Sequence, residues 1–594
     1  MSLRIAKDAS GQYVHTPSME AKKHKIASFG TRQRVENTAV VERFLRELVA
    51  DIPPDKKTLE QRKYTFAAAE QLPLIENRDL IAIAQQWEQQ GNPVPETLLQ
   101  LLRKRSVRTI SGVSPIGILT KPYPCPGKCV YCPTEDRMPK SYMSNQPAAA
   151  RALRNKFHPY DQVINRLHAL EDSGHPVSKL EVIVMGGTWS FLPKKYQSWY
   201  CKKIYDAAND DGRVHATHKS LSASQHANET AARKIIGLTL ETRPDFITPK
   251  ELYRMRQYGC TRIEIGVQTL DDTVQTLTKR GHKKAEVVRA MRLMKDYGFK
   301  VCWHLMPGLP GSTPEKDLQW LREVFEDPDC RPDFVKIYPC VVLETAELKQ
   351  WWQEGRYQPY TDEQLIKLLL QFKTFVPPWT RVMRLMRDIP VTNILDGAKF
   401  SNLRQILRSQ PEKLREIVGE QWYTAYQAER AEESGSWPCR CIRCREIGFQ
   451  SFATAAEVPV PVLKRRSYSA SGGTEEFLSF ESEDEQHLFA LLRLRRPSGK
   501  SPLLQWEGIL GEGCALIREV HSYGSEIAVG DSAGVGQHRG LGTRLMHEAE
   551  RLAREEWGCH TMTVIAGVGT RDYYRRFGYT LQHTYMVKRL LQSH

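Results

Sequence analysis

Three cysteines near residue 130 carry the clearest chemical signal in the sequence. Cys125, Cys129 and Cys132 are spaced C-x3-C-x2-C within KPYPCPGKCVYCP. Thiolates at this spacing on one loop can hold three irons of a cubane [4Fe–4S] cluster, which leaves the fourth iron open to another molecule. The alternative is a structural zinc ion, but such sites normally take four protein ligands, and no fourth is evident nearby. The spacing therefore favours an iron–sulfur site with one open iron.

A second cysteine group lies about 300 residues further along the chain. Cys439, Cys441 and Cys444 are spaced C-x-C-x2-C within CRCIRCREIG. This spacing on a short loop suits a structural zinc ion, although a fourth ligand is again not evident. The chain has 13 cysteines, and clustered cysteines in a reducing compartment are metal ligands or catalysts far more often than disulfides. The other seven are scattered, and we interpret them as isolated thiols.

Two glycine motifs could meet anionic or polar ligands through the backbone. Gly186 and Gly187 end the apolar run KLEVIVMGG, and the loop QHRGLG, from Gln537 to Gly542, precedes a predicted helix. Glycines in the second loop let backbone N–H groups approach a pyrophosphate, and the N-terminus of the helix supplies positive potential. The second loop is therefore a candidate phosphate-binding loop.

The elements that must position these residues alternate between strand and helix from residue 110 to about 390. The apolar runs KLEVIVMGG, KIIGLTLETRPD, TRIEIGVQ, FKVCWHLMPGLPG and DFVKIYP predict strands that each end in a polar or glycine-rich loop. Amphipathic stretches such as AEVVRAMRLMKDYG predict the helices between them. Repeated strand–helix units favour a parallel sheet that is closed or nearly closed into a barrel, with chemistry at the carboxyl ends of its strands.

The rest of the chain divides around this barrel. Residues 1–108 have helical periodicity and a basic composition, and 109–390 form the predicted barrel. Residues 391–457 read as a mostly helical linker that contains the second cysteine group, and 458–594 as a second α/β domain. We therefore predict an α/β multidomain fold.

The net charge predicts a polyanionic partner. Lys and Arg outnumber Asp and Glu by 85 − 69 = +16, and the pI is about 9.2. Each phosphate that a basic protein neutralises releases a condensed counterion, so such proteins suit nucleic acids. No stretch approaches the roughly 20 apolar residues that span a bilayer, and the first residues lack the apolar core of a secretory signal. We expect a cytoplasmic protein without a membrane partner, and the candidate residues for binding a nucleic acid are Arg103, Lys104, Arg105 and Arg108.

The first cysteine loop, placed ahead of a strand that ends in Gly-Gly, resembles the radical S-adenosylmethionine (SAM) enzymes. The resemblance implies that the open iron binds SAM and that electron transfer cleaves SAM to a 5′-deoxyadenosyl radical. It places Gly186, Gly187 and Thr188 at the amino group of SAM. It also implies that strand-end residues face the cofactor: Glu264, Gln268, Arg243 and His304.

The loop QHRGLG, followed by RDYYRRFGY, resembles the GCN5-related acetyltransferase (GNAT) fold. The resemblance implies acetyl-CoA as cofactor and a tyrosine near its sulfur, for which Tyr574 is the first candidate and Tyr573 the second. It assigns the pantetheine arm to the end of one strand and the pyrophosphate to the glycine loop. The strand residues are Glu519, Val520, His521 and Ser522, and the loop residues are Gln537, Gly540, Leu541, Gly542 and Thr543.

The two domains together resemble the catalytic subunit family of Elongator, in its stand-alone prokaryotic form, from about Val107 to the C-terminus. The resemblance implies that the methyl carbon of acetyl-CoA is joined to carbon 5 of the wobble uridine of tRNA, which gives 5-carboxymethyluridine. It also implies a coenzyme contact by Lys179 and zinc on the second cysteine group. The expected partners are a tRNA anticodon stem-loop and an external electron donor. Accessory Elongator subunits are not implied, and a homodimer is compatible with the sequence.

Three other functions compete with this interpretation. A protein lysine acetyltransferase would leave the first cysteine loop without a use, and the positive charge of the chain would repel basic substrates. Another radical SAM tRNA enzyme, such as a methylthiotransferase, would need a second cluster or sulfur site in place of the coenzyme loop. A tRNA-binding scaffold without activity is disfavoured because the cluster cysteines and the coenzyme glycines are all present.

Overall fold

The computed structural model describes residues 6–7, 13–14, 38–103, 112–210, 218–400, 402–434, 439–449, 457–503, 506, 508–523 and 540–590. They fall into two compact units, Met1–Lys104 and Arg105–His594. No helix among these residues is long and apolar enough to cross a bilayer.

The first unit is helical, as the periodicity of its sequence predicts. Two short strands, β1 (Ala6–Lys7) and β2 (Tyr13–Val14), pair antiparallel. Apolar residues at helical spacing on the four helices, such as Phe44 and Leu48, form one small core. The helices are α1 (Thr38–Ala50), α2 (Lys56–Ala69), α3 (Asn77–Gln89) and α4 (Glu96–Leu102).

The second unit begins with an open parallel barrel of seven strands. Their order is β10-β8-β7-β6-β5-β4-β3, and within the described part of the chain β3 and β10 are its two unpaired edges, so the barrel is partial. The predicted partial barrel is confirmed, and short strands that the sequence did not single out lie at its edges and in the linker. The strands are β3 (Val113–Leu119), β4 (Lys179–Met185), β5 (Lys234–Thr242), β6 (Arg262–Gln268), β7 (Lys300–Leu305), β8 (Phe334–Ile337) and β10 (Arg381–Arg384).

Helices cover the outer face of this barrel. On β6 the apolar residues Ile263, Ile265 and Val267 belong to the core beneath the helices, whereas Glu264 and Gln268 face the inside of the barrel. This alternation follows from the two-residue period of a strand. The helices are α5 (Pro147–Arg154), α6 (Pro159–Glu171), α7 (Lys194–Asn209), α8 (Leu221–Asn228), α9 (Pro249–Gln257), α10 (Asp272–Leu277), α11 (Lys284–Asp296), α12 (Pro314–Glu326), α13 (Leu348–Gln353) and α14 (Asp362–Thr374).

A linker joins the barrel to the last domain. Strands β9 (Val342–Leu343) and β11 (Ile394–Asp396) pair antiparallel beside the barrel. The linker is otherwise mostly helical, as predicted, and the second cysteine group extends into its last helix, which contains Cys444. These helices are α15 (Leu403–Ser409), α16 (Pro411–Val418), α17 (Glu420–Ser434) and α18 (Ile442–Arg445).

The last domain is a mixed seven-stranded sheet of order β12-β13-β14-β15-β16-β18-β17. Strand β15 pairs with β16 only as far as Ile517, so the two strands separate beyond that residue. The elements are β12 (Val462–Ala470), β13 (Gly473–Glu481), β14 (Leu488–Arg496), β15 (Cys514–Ser522), α19 (Leu541–Arg551), which continues as a π-helical turn (Leu552–Glu556), β16 (Thr561–Val564), α20 (Arg571–Arg575), β17 (Thr580–Gln582) and β18 (Tyr585–Arg589).

Buried ion pairs fasten the last domain to the amino ends of the barrel strands. Arg518 lies where the pairing of β14 and β15 shifts by one residue, and its guanidinium bonds Asp333 of the barrel at 2.5 and 2.9 Å. Arg495 bonds Asp296, at the end of α11, at 2.6 Å. All four side chains are buried, so the two domains meet through a dry, charged interface.

Candidate functional site

The cysteine loop follows β3 and lies across the carboxyl ends of the barrel strands. Cys125, Cys129 and Cys132 are all half-buried and all line the same cavity. Arg280 Nη1 lies 3.6 Å from the sulfur of Cys129, and the hydroxyl of Thr188 lies 3.8 Å from the sulfur of Cys125. Burial, reinforced by the nearby Cys129, raises the pKa of the Cys132 thiol to about 11. The loop thus offers three soft ligands, with the Arg280 guanidinium beside the sulfur of Cys129.

Glycines keep the surroundings of these sulfurs open. A Cβ atom on Gly127 would lie 2.5 Å from Arg243 Nη1 and only 3.5 and 3.7 Å from the sulfurs of Cys129 and Cys125. Gly186 has φ +132°, and a Cβ atom there would lie 2.1 Å from the hydroxyl of Thr120. Only glycine fits either position without a shift of its neighbours. The buried atoms Arg243 Nη1 and Gln268 Oε1 have no hydrogen-bond partner among the described residues. Both observations fit a site that is built around a bound group.

The cavity beneath the loop has a volume of about 1650 Å³. Single small-molecule sites usually occupy roughly 300–1,000 Å³, so this cavity has room for more than one ligand. Its walls include 12 Lys or Arg residues and 4 Asp or Glu residues. An excess of cations in a cleft concentrates anionic ligands.

A buried polar cluster lies in the middle of the barrel, within this cavity. Glu264 accepts hydrogen bonds from Lys336 and, at 2.8 Å, from His304 Nε2. Burial alone would raise the pKa of Glu264, but Lys336 and His304 hold it well below its usual range. The sulfur of Cys302 also lies close to Glu264 and His304, as in a candidate metal site. Because the Lys336 ammonium already bonds Glu264, we interpret the group as a charge cluster.

The structure brings together the residues that the sequence predicts for SAM. Gly187, Thr188, Glu264 and Gln268 line the cavity together with the three cysteines, and so do Arg243 and His304. Gly186 lies just behind this wall, where the hydroxyl of Thr120 is 3.3 Å from its carbonyl oxygen. Gln268 has φ +72°, a conformation that few non-glycine residues adopt and that often marks functional sites.

The predicted acetyl-CoA residues converge at the point where β15 leaves β16. From Glu519 to Ser522, β15 pairs with β14 but not with β16. Gly542, at the start of α19, lies so close to Tyr573 and Ser522 that its Cβ atom would be 3.0 and 3.7 Å from their hydroxyl groups. Among the described strands, this part of β15 has no partner on its other edge, and such an edge beside a helix N-terminus can pair with an extended amide arm.

The two candidate tyrosines differ in burial. Tyr574 is buried in the core of the last domain, whereas Tyr573 is half-buried and its hydroxyl faces Gly542. Burial raises the pKa of Tyr574, and Glu519 is near enough to add to the effect. Gly540, Leu541 and Thr543 begin α19, with Gly540 at φ +89°. Gln537 lies outside the described residues.

Lys179 lies at the amino end of β4, far from the cysteines. It pairs in register with Lys234 of β5. Lys234 and the two residues after it lie against Gly567 and Gly569 of the last domain. Glu181, two residues further along β4, is close enough to His521 for the two charges to interact. The cysteine loop is at the opposite ends of the strands, and seven residues of β6 span about 20 Å. The two candidate sites therefore lie at opposite ends of one barrel.

The second cysteine group is compact, with Cys439 and Cys441 buried and Cys444 half-buried. The sulfurs of Cys439, Cys441 and Cys444 all lie within 4.8 Å of one another. A zinc ion about 2.3 Å from each sulfur would hold three sulfurs about 4 Å apart, so the group fits one ion. Lys373 Nζ lies 3.7 Å from the sulfur of Cys441 and 3.4 Å from that of Cys444. Among the described residues, no fourth His, Cys, Asp or Glu joins the three sulfurs, and this ammonium is the charged group beside them.

The predicted tRNA-binding patch is only partly described. Arg103 donates two hydrogen bonds to Glu96, at 2.6 and 3.2 Å. Lys104, Arg105 and Arg108 lie outside the described residues. The arginines of the cavity wall were not predicted from the sequence, because they come from separate helices, loops and one strand, and no local spacing relates them. They are Arg151, Arg166, Arg280, Arg384, Arg387, Arg404 and Arg408.

Three family models match the chain. The radical SAM superfamily model matches residues 123–324, and the model of the radical SAM C-terminal domain matches 332–413. The model of the acetyltransferase (GNAT) family matches residues 469–579. These matches cover the barrel, the first part of the linker and the last domain.

Similar proteins share this arrangement over nearly their whole length. A tRNA uridine(34) acetyltransferase from Dehalococcoides mccartyi is 44% identical over 82% of this chain and 100% of that protein. Elongator complex protein 3 from Homo sapiens is 38% identical over 83% of this chain and 87% of its own. The solved structure of archaeal Methanocaldococcus infernus Elp3 with its N-terminus deleted has a TM-score of 0.66 at 38% identity, and it covers 81% of this chain and 100% of its own.

Proposed function

The chain belongs to the family of tRNA uridine(34) acetyltransferases and Elongator complex protein 3, which are radical SAM enzymes, and we propose that it attaches the methyl carbon of acetyl-CoA to carbon 5 of the wobble uridine of tRNA. The product after thioester hydrolysis would be 5-carboxymethyluridine. One observation carries this proposal: three cysteines spaced for a cluster open onto a large basic cavity, and an acetyltransferase fold closes the other end of the same barrel.

Cys125, Cys129 and Cys132 would hold a [4Fe–4S] cluster, with SAM against Gly186, Gly187, Thr188, Glu264 and Gln268. When bound, this pair supplies a 5′-deoxyadenosyl radical that can take a hydrogen atom from a methyl group. Arg280 would donate an N–H group to the sulfur of Cys129. Lys336 and His304 keep Glu264 ionised, so that it can accept hydrogen bonds from a polar ligand.

The last domain would hold acetyl-CoA. The free edge of Glu519, Val520, His521 and Ser522 pairs with the pantetheine arm. Gln537 and the residues from Gly540 to Thr543 meet the pyrophosphate, and Lys179 meets a coenzyme phosphate. Tyr574, with Tyr573 as the second candidate, stands near the sulfur and donates a proton to the departing thiolate.

The basic cavity and the N-terminal region would bind the tRNA anticodon stem-loop. Arginines such as Arg384 and Arg408 offer planar N–H groups to phosphates at the mouth of the cavity. Arg103, Lys104, Arg105 and Arg108 add contacts to the stem. A single-stranded anticodon base can enter the cavity because it is already unpaired.

Cys439, Cys441 and Cys444 would hold a structural zinc ion, and the Lys373 ammonium would offset part of the charge of the three thiolates. The domain bounds 1–108, 109–390, 391–457 and 458–594 are part of the same proposal. So are an external electron donor, a cytoplasmic place of action and a homodimer.

Nucleoside analysis of tRNA tests the proposed reaction. Anaerobically reconstituted protein, SAM, a reductant and acetyl-CoA labelled with ¹³C on the methyl carbon are incubated with tRNA. We expect labelled 5-carboxymethyluridine from the wild-type protein and none from Cys129→Ser. Cys260→Ser, which changes a buried cysteine outside both groups, serves as the control and should retain activity.

Two results would contradict the proposal. Unchanged product from Cys129→Ser would exclude the cluster chemistry. Acetylated peptide formed without modified tRNA would favour a lysine acetyltransferase. Iron and zinc content of the anaerobic protein checks both metal assignments independently of activity.

A further inference from the structure

A row of aromatic side chains lies on the surface beside the cysteine loop. We define this aromatic ridge as Tyr123, Phe191, Tyr196, Trp199 and Phe246. The ring centroids of Tyr123 and Phe191 are 6.1 Å apart, those of Phe191 and Phe246 are 6.0 Å apart, and those of Tyr196 and Trp199 are 5.6 Å apart. The backbone N–H of Lys121 donates to the hydroxyl of Tyr196 and so joins the two halves.

The ridge is exposed although its members are apolar. Tyr123 is 37% exposed, Phe191 is 40% exposed and Trp199 is 38% exposed. Exposed apolar groups that are contiguous mark interaction surfaces more often than single exposed residues do. Aromatic residues are also enriched in protein–protein interfaces.

Three of the five ridge residues are tied to residues next to the cluster cysteines. Tyr123 is two residues before Cys125. The backbone N–H of Phe191 donates to the carbonyl of Thr188, whose hydroxyl is 3.8 Å from the sulfur of Cys125. The backbone N–H of Phe246 donates to the carbonyl of Arg243, which lies against Gly127 in the cysteine loop. The ridge is therefore the outer surface of the cysteine site.

The charges on the two segments that carry most of the ridge are positive, whereas Asp245, next to Phe246, is ion-paired with Arg243. Lys121, Lys128 and Lys195 are exposed, and the segments 119–134 and 186–205 that carry the ridge's first four residues contain no Asp or Glu. Lys121 Nζ also lies 5.0 Å above the ring of Tyr196. A basic surface of this kind attracts an acidic partner and speeds its encounter.

We propose that the aromatic ridge and its lysines form the docking surface for a small acidic one-electron carrier protein that reduces the cluster. The inference rests on the proposed function, since it requires a cluster that must receive an electron. One electron leaves the reduced carrier and enters the cluster, and no bond is made or broken in that step. Electron-transfer encounters are weak and bury less than about 1,200 Å², so a small ridge is sufficient.

RNA is the other polyanion that stacks on aromatic residues, but it fits this surface less well. The base to be modified must reach the cavity, and none of the five ridge residues lines the cavity. Their neighbours Cys125, Thr188 and Arg243 do line it. The ridge therefore lies outside the cavity but next to residues of its wall, where it is close to the cluster without lining the path of the base.

The test uses the cluster-loaded protein and a reduced acidic [2Fe–2S] ferredoxin as the probe. Stopped-flow absorbance follows reduction of the cluster, and calorimetry with oxidised ferredoxin measures binding without turnover. The variants are Phe191→Ser and Lys195→Glu, so the result does not depend on the folding of one of them. Their controls are Leu581→Ser and Lys413→Glu, which change an exposed apolar residue and an exposed lysine elsewhere.

For Phe191→Ser and Lys195→Glu, we expect ferredoxin affinity and the second-order rate of cluster reduction to fall about tenfold, because aromatic anchors and charged rims dominate such contacts. Dithionite, which needs no docking surface, should reduce all variants equally, and tRNA affinity should be unchanged. The wild-type rate should fall as salt is added.

Three outcomes would overturn the inference. The first is a wild-type protein that shows no measurable ferredoxin binding, and the second is ridge variants that match the controls. The third is weakened tRNA binding with an unchanged ferredoxin rate, which would make the ridge an RNA surface. If wild-type protein reduced by dithionite forms no modified uridine, the proposed function fails instead, and ferredoxin binding still reports on the ridge.

Discussion

At the scale of single residues, the adjacent Tyr574 and Tyr573 can be tested for two different roles, proton donation and coenzyme binding. We expect Tyr574→Phe to lower the rate of modified uridine formation by about 10²-fold or more, because a positioned proton donor contributes that much to catalysis. The phenyl ring keeps the buried packing, so the unfolding midpoint should change little. Rapid-quench assays of modified uridine, with acetyl-CoA affinity measured in parallel, check this.

Tyr573→Phe is the matched comparison. The hydroxyl of Tyr573 lies at Gly542, where the coenzyme is expected, so its loss should weaken acetyl-CoA binding more than the rate. The opposite pattern, with Tyr573→Phe slow and Tyr574→Phe active, would reverse the two assignments.

Arg408 tests whether the cavity binds phosphates. It lies on α15, is exposed and lines the cavity. Arg408→Gln should weaken binding of tRNA anticodon stem-loops and reduce the slope of log K against log salt by about 0.7–0.9, the contribution of one phosphate contact. Fluorescence anisotropy over a range of salt concentrations measures that slope.

Arg496→Gln removes an exposed arginine of the last domain that does not line the cavity, and it controls for net charge. Equal slopes for the two variants would show that only the overall charge of the protein matters. A steeper loss for Arg408→Gln would support a direct phosphate contact.

At the scale of elements, the junction of the barrel with the last domain leaves no room for a side chain at Gly567. A Cβ atom there would lie 2.0 Å from the carbonyl oxygen of Ile236 on β5. Because backbone cannot give way as a side chain can, we expect Gly567→Ala to lower the free energy of unfolding by about 1–3 kcal/mol. Chemical denaturation followed by fluorescence measures the change.

Gly237→Ala is the control for this prediction. Gly237 follows Ile236 on β5, but a Cβ atom at Gly237 would lie 3.6 Å from its nearest neighbours, which is an ordinary contact distance. We expect a smaller effect there, since the new methyl group only makes contact. Similar losses in both variants would mean that the junction adapts.

Local patterns predict elements and motifs well in this chain, and long-range arrangements poorly. The strand runs that end at Met185, Thr242 and Gln268 were evident, because each combines buried β-branched residues with a terminal polar loop. The four-residue strand β10 has too few residues for a period to show. Both cysteine groups were found because the cysteines of each group are near one another in sequence.

Other features of the site depend on the fold of the whole barrel. The arginines of the cavity come from segments more than 200 residues apart in sequence, and only the folding of the whole barrel brings them together. The aromatic ridge likewise joins residues that follow three different strands. No spacing rule relates such residues, which is why the sequence analysis did not find them.

At the scale of the whole molecule, the barrel and the last domain are held as one unit by buried charges. Asp333 accepts hydrogen bonds from Arg518 and, at 2.9 Å, from the backbone N–H of Val301. Arg518 also bonds Glu475 at 2.9 Å. Because the interface is dry and each charge has a partner, the two candidate sites keep a fixed separation while the barrel lies between them.

Asp333 makes the stability of this interface depend on pH. Burial alone would raise the pKa of its carboxyl group, but Arg518 and Lys295 hold it well below its usual range. A carboxyl group with a lowered pKa in the folded state contributes stability above its unfolded pKa of about 3.9. That contribution is lost as the pH falls below about 4, and it is unchanged between pH 5 and 7.

Asp333→Asn should therefore have two effects. At pH 7 it leaves Arg518 without its buried counter-ion, so we expect the free energy of unfolding to fall by about 3–5 kcal/mol. Below pH 4 its stability should fall less steeply than that of the wild-type protein, because one titrating group has been removed. Asp329→Asn, at an exposed aspartate nearby, should match the wild-type protein in both respects. Urea unfolding at pH 7, 5, 4 and 3.5 measures both effects, and parallel pH profiles for all three proteins would show that Asp333 does not link the interface to pH.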